Sequence, residues 1–189
     1  MKLNAGLNNC WSTPIYKTTL SNELCNDLVT KILMEEDLGD PMNDSSSNLV
    51  HRVPKLKDVA KQIYSEYFKE AYNLDINKID YTIKAWLTGT KNGYNMETHN
   101  HSGSQYVSVV YIMAEEEESG GDIVLQDPRF NANRGSMQPF IKDFASIEHK
   151  PKTGDVLIMP GYVYHFVRPY MSKLRLAVPI DIFIQSVKE

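Results

Sequence analysis

Apolar residues recur along this chain at two periods, and the change falls near residue 80. Before it, Leu24, Leu28 and Ile32 follow one another at intervals of four, the spacing that lines one face of an α-helix. Ser21 stands in front of them as an N-cap, and Gly39 and Pro41 close the run. Residues 43–48 are Asn, Asp and Ser, which predicts a polar surface loop. Val59, Ile63 and Tyr67 then mark a second amphipathic helix over residues 56–73. Its aromatic stripe of Tyr64, Tyr67, Phe68 and Tyr72 reads as core packing.

Beyond residue 80 the period is two. Tyr81, Ile83, Ala85 and Leu87 alternate with Thr82, Lys84, Trp86 and Thr88, as on a half-buried strand. Further strands are expected over residues 106–113, 122–127, 155–159, 162–168 and 175–184, with a short edge strand at 14–17. The four glutamates Glu115 to Glu118 read as a solvated hairpin connection. Residues 128–148 form a long connection of little periodicity, the kind used as a lid or substrate loop. There is no βαβ alternation, no internal repeat and no linker. The pattern predicts an α+β, mainly β chain: one domain over residues 1–189, with a helical part (about 1–79) on one sheet of a double-stranded jelly-roll barrel (about 80–184).

Composition narrows the classes of partner. A net charge of −4 disfavours nucleic acid as the main partner, because phosphate binding wants a basic face. The longest apolar runs are strand-length, so no membrane span is expected, and the opening residues carry no signal core. Cys10 and Cys25 make neither a zinc pattern nor a disulfide framework. Both read as buried thiols in a reducing, cytoplasmic setting.

Three of the five histidines belong to one constellation, His99-Asn100-His101 and His165. On a strand, His-x-His points both imidazoles to one face. Gly154, five residues, Pro160 and then His165 form a strand–turn–strand that delivers a third imidazole, enough to close a mononuclear metal site with open positions. Arg175 lies ten residues further, on the next strand. His51 and His149 read as ordinary surface or hydrogen-bonded histidines.

In these segments the chain resembles the Fe(II)/2-oxoglutarate-dependent oxygenase superfamily, specifically small oxygenases of marine bacteria and cyanophages. The carrying segments are His99-Asn100-His101, Ser108-Val109-Val110-Tyr111, Ser119-Gly120-Gly121, Asp127-Pro128-Arg129, residues 154–160, and His165-Phe166-Val167-Arg168-Pro169 with Arg175. Their order is similar to that of the prolyl-hydroxylase branch. The resemblance covers residues 80–184, and Trp11 to Tyr16 is similar to the family's N-terminal edge. It implies that His99 and His165 hold Fe(II), that Arg175 pairs with the distal carboxylate of 2-oxoglutarate, and that Tyr111 supports that carboxylate. It also implies O2 as oxidant, succinate and CO2 as by-products, and a hydroxylated peptide, amino acid or metabolite as product.

The chain departs from the family at one position. The usual triad is two histidines and a carboxylate, but His101 stands where the carboxylate belongs. Either His101 is a third ligand, or Asp127 binds the metal or a metal-bound water and His101 stands behind it. A bulky His101 disfavours the halogenase variant, which needs a small residue there. Two other classes fit parts of the pattern. A three-histidine cupin enzyme would use Gly93 and, after five intervening residues, the His-x-His, but Gln105 stands near the position where its glutamate belongs, and it would not need Arg175 or 2-oxoglutarate. A non-enzymatic jelly-roll module would leave the histidines without a role.

Overall fold

A computed structural model describes residues 12–35, 48–114, 120–129 and 146–188. Cys10, Trp11, the run Glu115 to Glu118, the polar loop apart from Asn48, and most of the suggested lid lie outside the described residues.

Helix α1 (Asn22–Glu35) begins directly after Ser21, whose hydroxyl accepts from the Leu24 amide at 3.2 Å. Helix α3 (Pro54–Tyr72) takes Pro54 into its first turn, where a missing N–H costs nothing. It ends at Asn73 in the left-handed conformation (φ 52°). Between them lies a single-turn helix, α2 (Leu49–Arg52), which the periodicity does not predict. Its cap, Asn48, does two jobs. Its Oδ1 accepts from the Val50 and Ala85 amides at 3.3 and 3.0 Å, and its Nδ2 donates to the Ile83 carbonyl at 2.9 Å. One side chain thus closes a helix end and the edge of a strand.

The strands are β1 (Tyr16–Thr19), β2 (Ile79–Ala85), β3 (Thr88–Thr90), β4 (Met96–His99), β5 (Tyr106–Met113), β6 (Ile123–Gln126), β7 (Ser146–His149), β8 (Asp155–Pro160), β9 (His165–Val167) and β10 (Arg175–Val187). They form two antiparallel sheets. The larger runs β1-β8-β5-β10-β2 with β3 also on β10, and the smaller runs β4-β9-β6-β7. Two such sheets, with helices on the outer face of one, make a double-stranded β-helix, the jelly roll expected from the sequence. Differences of detail are local: β1 begins two residues later than the edge strand expected, and β9 is confined to three residues.

Strand parity divides the interior in two. From β10, Leu176, Val178, Ile180 and Ile182 join the core beneath the helices. Ala177 joins a second cluster between the sheets, with Val109 and Tyr111 of β5 and Leu157 and Met159 of β8. The aromatic stripe of α3 packs in the first layer: Tyr67 and Phe68 meet the Tyr106 ring edge-on at 5.2 and 5.4 Å. Pro179 sits in the middle of β10, which a central strand rarely tolerates. It falls where β10 changes partner, between the residues paired with β3 (up to Ala177) and those paired with β2 (from Ile180), so no ladder bond is lost to β2 or β3. Among the described residues no helix is long and apolar enough to cross a membrane.

The two layers predict separable mutant effects. Ile63 is fully buried under the helices. Ile63→Ala should cost about 2–5 kcal/mol of stability, read by urea denaturation, while divalent-metal affinity of the folded protein stays within about twofold.

Candidate metal centre

The three histidines arrive by different routes. His99 ends β4 and pairs directly with His165, which opens β9, and their ring centroids are 4.4 Å apart. His101 lies beyond the end of β4, so strand alternation is not what aims it. It is set instead by a tight crossing of loops: its amide donates to the Gly161 carbonyl at 2.9 Å, and its carbonyl accepts from the Ser104 amide at 3.2 Å. Side-chain bulk is excluded there, since a Cβ at position 161 would stand 2.3 Å from the Ser104 carbonyl oxygen. The His101 ring stacks on His165 (5.3 Å, 10°) and on Trp86 (5.7 Å, 26°).

One ring nitrogen from each of the three lies within 4.8 Å of the others, a spacing that suits ligands sharing one ion at about 2.1 Å. Hydrogen bonds decide which nitrogen is offered. Nδ1 of His99 contacts the Glu97 carbonyl at 2.8 Å, and Nδ1 of His165 the Val163 carbonyl at 3.0 Å. A carbonyl oxygen only accepts, so Nδ1 carries the proton and Nε2 keeps a lone pair. Nδ1 of His101 lies 2.7 Å from Oδ1 of Asp181, which fixes the third ring the same way. Burial lowers the pKa of His99, and the Glu97 contact opposes the shift. Burial lowers His165 to about 4, the Val163 carbonyl opposing and the other two imidazoles adding to the fall. A lowered pKa keeps these rings neutral, the form that binds metal.

These imidazoles line a cavity of about 400 Å³ between the sheets. Its walls include Trp86, Met96, Val109, Ile123, Val167 and Pro179, and Arg175 and Tyr111 also line it. Arg175 is 3% exposed. Its Nε donates to Thr90 Oγ1 at 3.1 Å and its Nη1 to the Gly121 carbonyl at 2.5 Å, and the guanidinium lies 4.8 Å from the Tyr170 ring centroid and 5.6 Å from that of Tyr111. Among the described residues no carboxylate comes within ion-pair distance of it. Burial lowers its pKa, opposed by Tyr111, Tyr170 and the carboxylate of Asp122. The Gly120-Gly121 turn follows from this crowding: Gly121 has φ 74°, and a Cβ there would stand 2.5 Å from Arg175 Nη1. Burial raises the pKa of the Tyr111 phenol, against the pull of Arg175. Its hydroxyl has no hydrogen-bond partner among the described residues.

Asp127 is not in the cluster. Its carboxylate is taken by the Arg129 guanidinium, with Arg129 Nε at 2.9 Å from Oδ1, and that pairing lowers its pKa. The ligand role weighed for it therefore finds no support in the geometry. Three residues of the site escaped the sequence reading: Trp86, Thr90 and Asp181. Each sits at a position of the correct parity, and Asp181 shares a strand face with Arg175. His51 is exposed, and His149 contacts Asp155 at 2.8 Å.

One cavity thus gathers three imidazoles that could hold a metal ion and, at another place, a buried guanidinium with no carboxylate within ion-pair distance among the described residues. Residues 84–181 match the model of a family described as "Putative 2OG-Fe(II) oxygenase". The chain belongs to this family, an Fe(II)- and 2-oxoglutarate-dependent class of oxygenases that consumes O2. Among solved structures, HygX from Streptomyces hygroscopicus with nickel and 2-oxoglutarate bound is 11% identical, with a TM-score of 0.66 over 94% of this chain and 85% of that one. A prolyl-4-hydroxylase from Pseudomonas putida is 12% identical, with a TM-score of 0.60 over 93% and 90%. A 2OG-Fe(II) oxygenase-family oxidoreductase from Burkholderia pseudomallei is 14% identical, with a TM-score of 0.53 over 76% of this chain, which spans 62% of that one. At these identities the likeness is one of fold. No curated protein sequence matches. Family membership replaces the cupin and binding-module alternatives.

The histidine shifts fix a pH dependence for the metal-free protein. An unfolded histidine binds a proton near pH 6.5, whereas folded His165 resists one down to about pH 4. Stability is therefore full above pH 6.5 and declines as the pH falls toward 4, by on the order of 3 kcal/mol for this residue. His165→Gln should flatten that decline in urea titrations at pH 7 and pH 5. An equal decline in the variant would remove His165 as its source.

Proposed function

We propose that this protein hydroxylates a small molecule or peptide side chain, with Fe(II) held by His99, His101 and His165, and with 2-oxoglutarate converted to succinate and CO2. The observation that carries this reading is the pairing of opposites within one cavity. Three Nε2 lone pairs converge, and Arg175 keeps three of its five N–H groups without a partner among the described residues. A buried guanidinium without a counter-ion is costly, and a dicarboxylate supplies one.

The residues divide the work. His99, His101 and His165 would hold the iron through Nε2, and three protein ligands would leave it positions for the keto acid and O2. Arg175 presents a planar donor fork to the distal carboxylate, and the Tyr111 hydroxyl has its proton to give to the same group. Thr90 and Gly121 fix the guanidinium from behind, so little reorganisation accompanies binding. Trp86, Met96, Val109 and Ile123 give the cavity apolar walls, and low-dielectric walls strengthen each polar contact within it. The bound iron supplies the redox chemistry, activating O2 against the keto acid and a substrate C–H bond.

Two measurements test the assignment. Under anaerobic, metal-loaded conditions, Arg175→Ala should weaken 2-oxoglutarate binding by roughly 100-fold or more, read by calorimetry, and leave Fe(II) affinity nearly unchanged. Wild-type protein that does not bind 2-oxoglutarate would overturn the reading. In Co(II) titrations, His101→Ala should lose as much affinity as His99→Ala, whereas Asp127→Ala should stay near wild type. The reverse order would transfer the third ligand to Asp127.

A further inference from the structure

Asp181 is a buried carboxylate that meets no Lys or Arg side chain among the described residues. It is 8% exposed, and the only hydrogen-bond partner of its side chain among the described residues is Nδ1 of His101 at 2.7 Å. Its cross-strand neighbour on β2 is Lys84, yet no ion pair joins them. The Lys84 ammonium sits over the Trp86 ring instead, 5.9 Å from the centroid. An imidazole that binds a metal through Nε2 is neutral, so it satisfies one lone pair of a carboxylate and none of its charge. The missing positive charge has one obvious place, on the far side of the same imidazole.

We infer that Asp181 supplies, through His101, the negative charge that the three-histidine set lacks, and that it acts as a positioning residue for the metal. The inference rests on His101 being a ligand. With two histidines and a carboxylate, a dication keeps one net positive charge; with three imidazoles it keeps two. Asp181 returns the total to one, with the anion a hydrogen bond further from the metal. It also aims the ring. Stacking on Trp86 and His165 sets the plane of the imidazole, and the bond to Asp181 sets its rotation within that plane, so Nε2 points at the shared centre. Carboxylates placed behind metal-bound histidines raise ligand basicity in this way. The register of β10 holds the device in place: Asp181 lies opposite Val107 on β5 and Lys84 on β2, with little freedom to move.

The test is a double-mutant cycle on metal affinity, read by Co(II) absorption and anaerobic Fe(II) titration. Asp181→Asn keeps an acceptor oxygen for Nδ1 and removes the charge. It should weaken metal binding about 10- to 100-fold with no loss of melting temperature in the metal-free protein. In a His101→Ala background the same change should have no further effect. The Fe(III)/Fe(II) potential of loaded Asp181→Asn should move positive, a shift that a packing role would not produce. Should Asp181→Asn fail to fold, Asp181→Ser runs the same cycle. Unchanged affinity in Asp181→Asn, alongside weakened binding in His101→Ala, overturns the relay and spares the ligand assignment. Equal losses with and without His101 also overturn the relay. Full-strength binding by His101→Ala overturns the ligand assignment itself, and the relay with it.

Discussion

The site depends on the two-residue period of β10. This strand is shared between two interiors, and alternation keeps them apart. One face gives Leu176, Val178, Ile180 and Ile182 to the layer beneath the helices, while the other gives Arg175, Ala177, Pro179 and Asp181 to the cavity. A shift of one residue would send the charges into the apolar layer. The helical layer therefore does more than stabilise. By accepting only the apolar parity of β10, it forces the charged parity toward the histidines.

Charge is distributed along the cavity with the same economy. The buried cation Arg175 and the buried anion Asp181 stand six residues apart on one strand, roughly 20 Å along its axis, with Ala177 and Pro179 between them. Among the described residues Arg175 has no carboxylate within ion-pair distance, and Asp181 has no Lys or Arg. Buried charges of this kind are unfavourable alone and become favourable when ligands of opposite sign enter. In the proposed assignment, a metal held by His101 would answer Asp181, and a keto diacid would answer Arg175. Family membership names these ligands, and the two uncompensated charges explain in physical terms why the cavity would take them.

Much of this was readable in the sequence because it obeys simple periods. The four-residue spacing of Leu24, Leu28 and Ile32, the alternation from Tyr81 to Leu87, and the glycine and proline punctuation each report a local rule. The aromatic stripe behaves as a core element at Tyr64, Tyr67 and Phe68, although Tyr72 is half exposed. The His-x-His spacing does find two imidazoles that meet, but for an incomplete reason. His99 is aimed by its strand, and His101 by a loop crossing over Gly161, which no period reveals. Asp181 was hidden by its surroundings: in the run Val178-Pro179-Ile180-Asp181-Ile182 it reads as one polar break in an apolar strand. Asn48 was hidden because its partners, Ile83 and Ala85, lie more than thirty residues away. Long-range hydrogen bonds leave no periodic trace.

The direct pairing of His99 with His165 has a consequence for how the chain finds this arrangement. Strand β4 has four residues, and its register against β9 is irregular between Met96 and His99. So short a strand is weakly specified by its own contacts. A slip by one position turns His99 to the opposite side of the small sheet and breaks up the cluster. Only the native pairing gathers all three imidazoles, so an ion that demands three nitrogens rewards the correct alignment and no other. In the proposed assignment, a bound ion would therefore favour the native register of the smaller sheet over a slipped one.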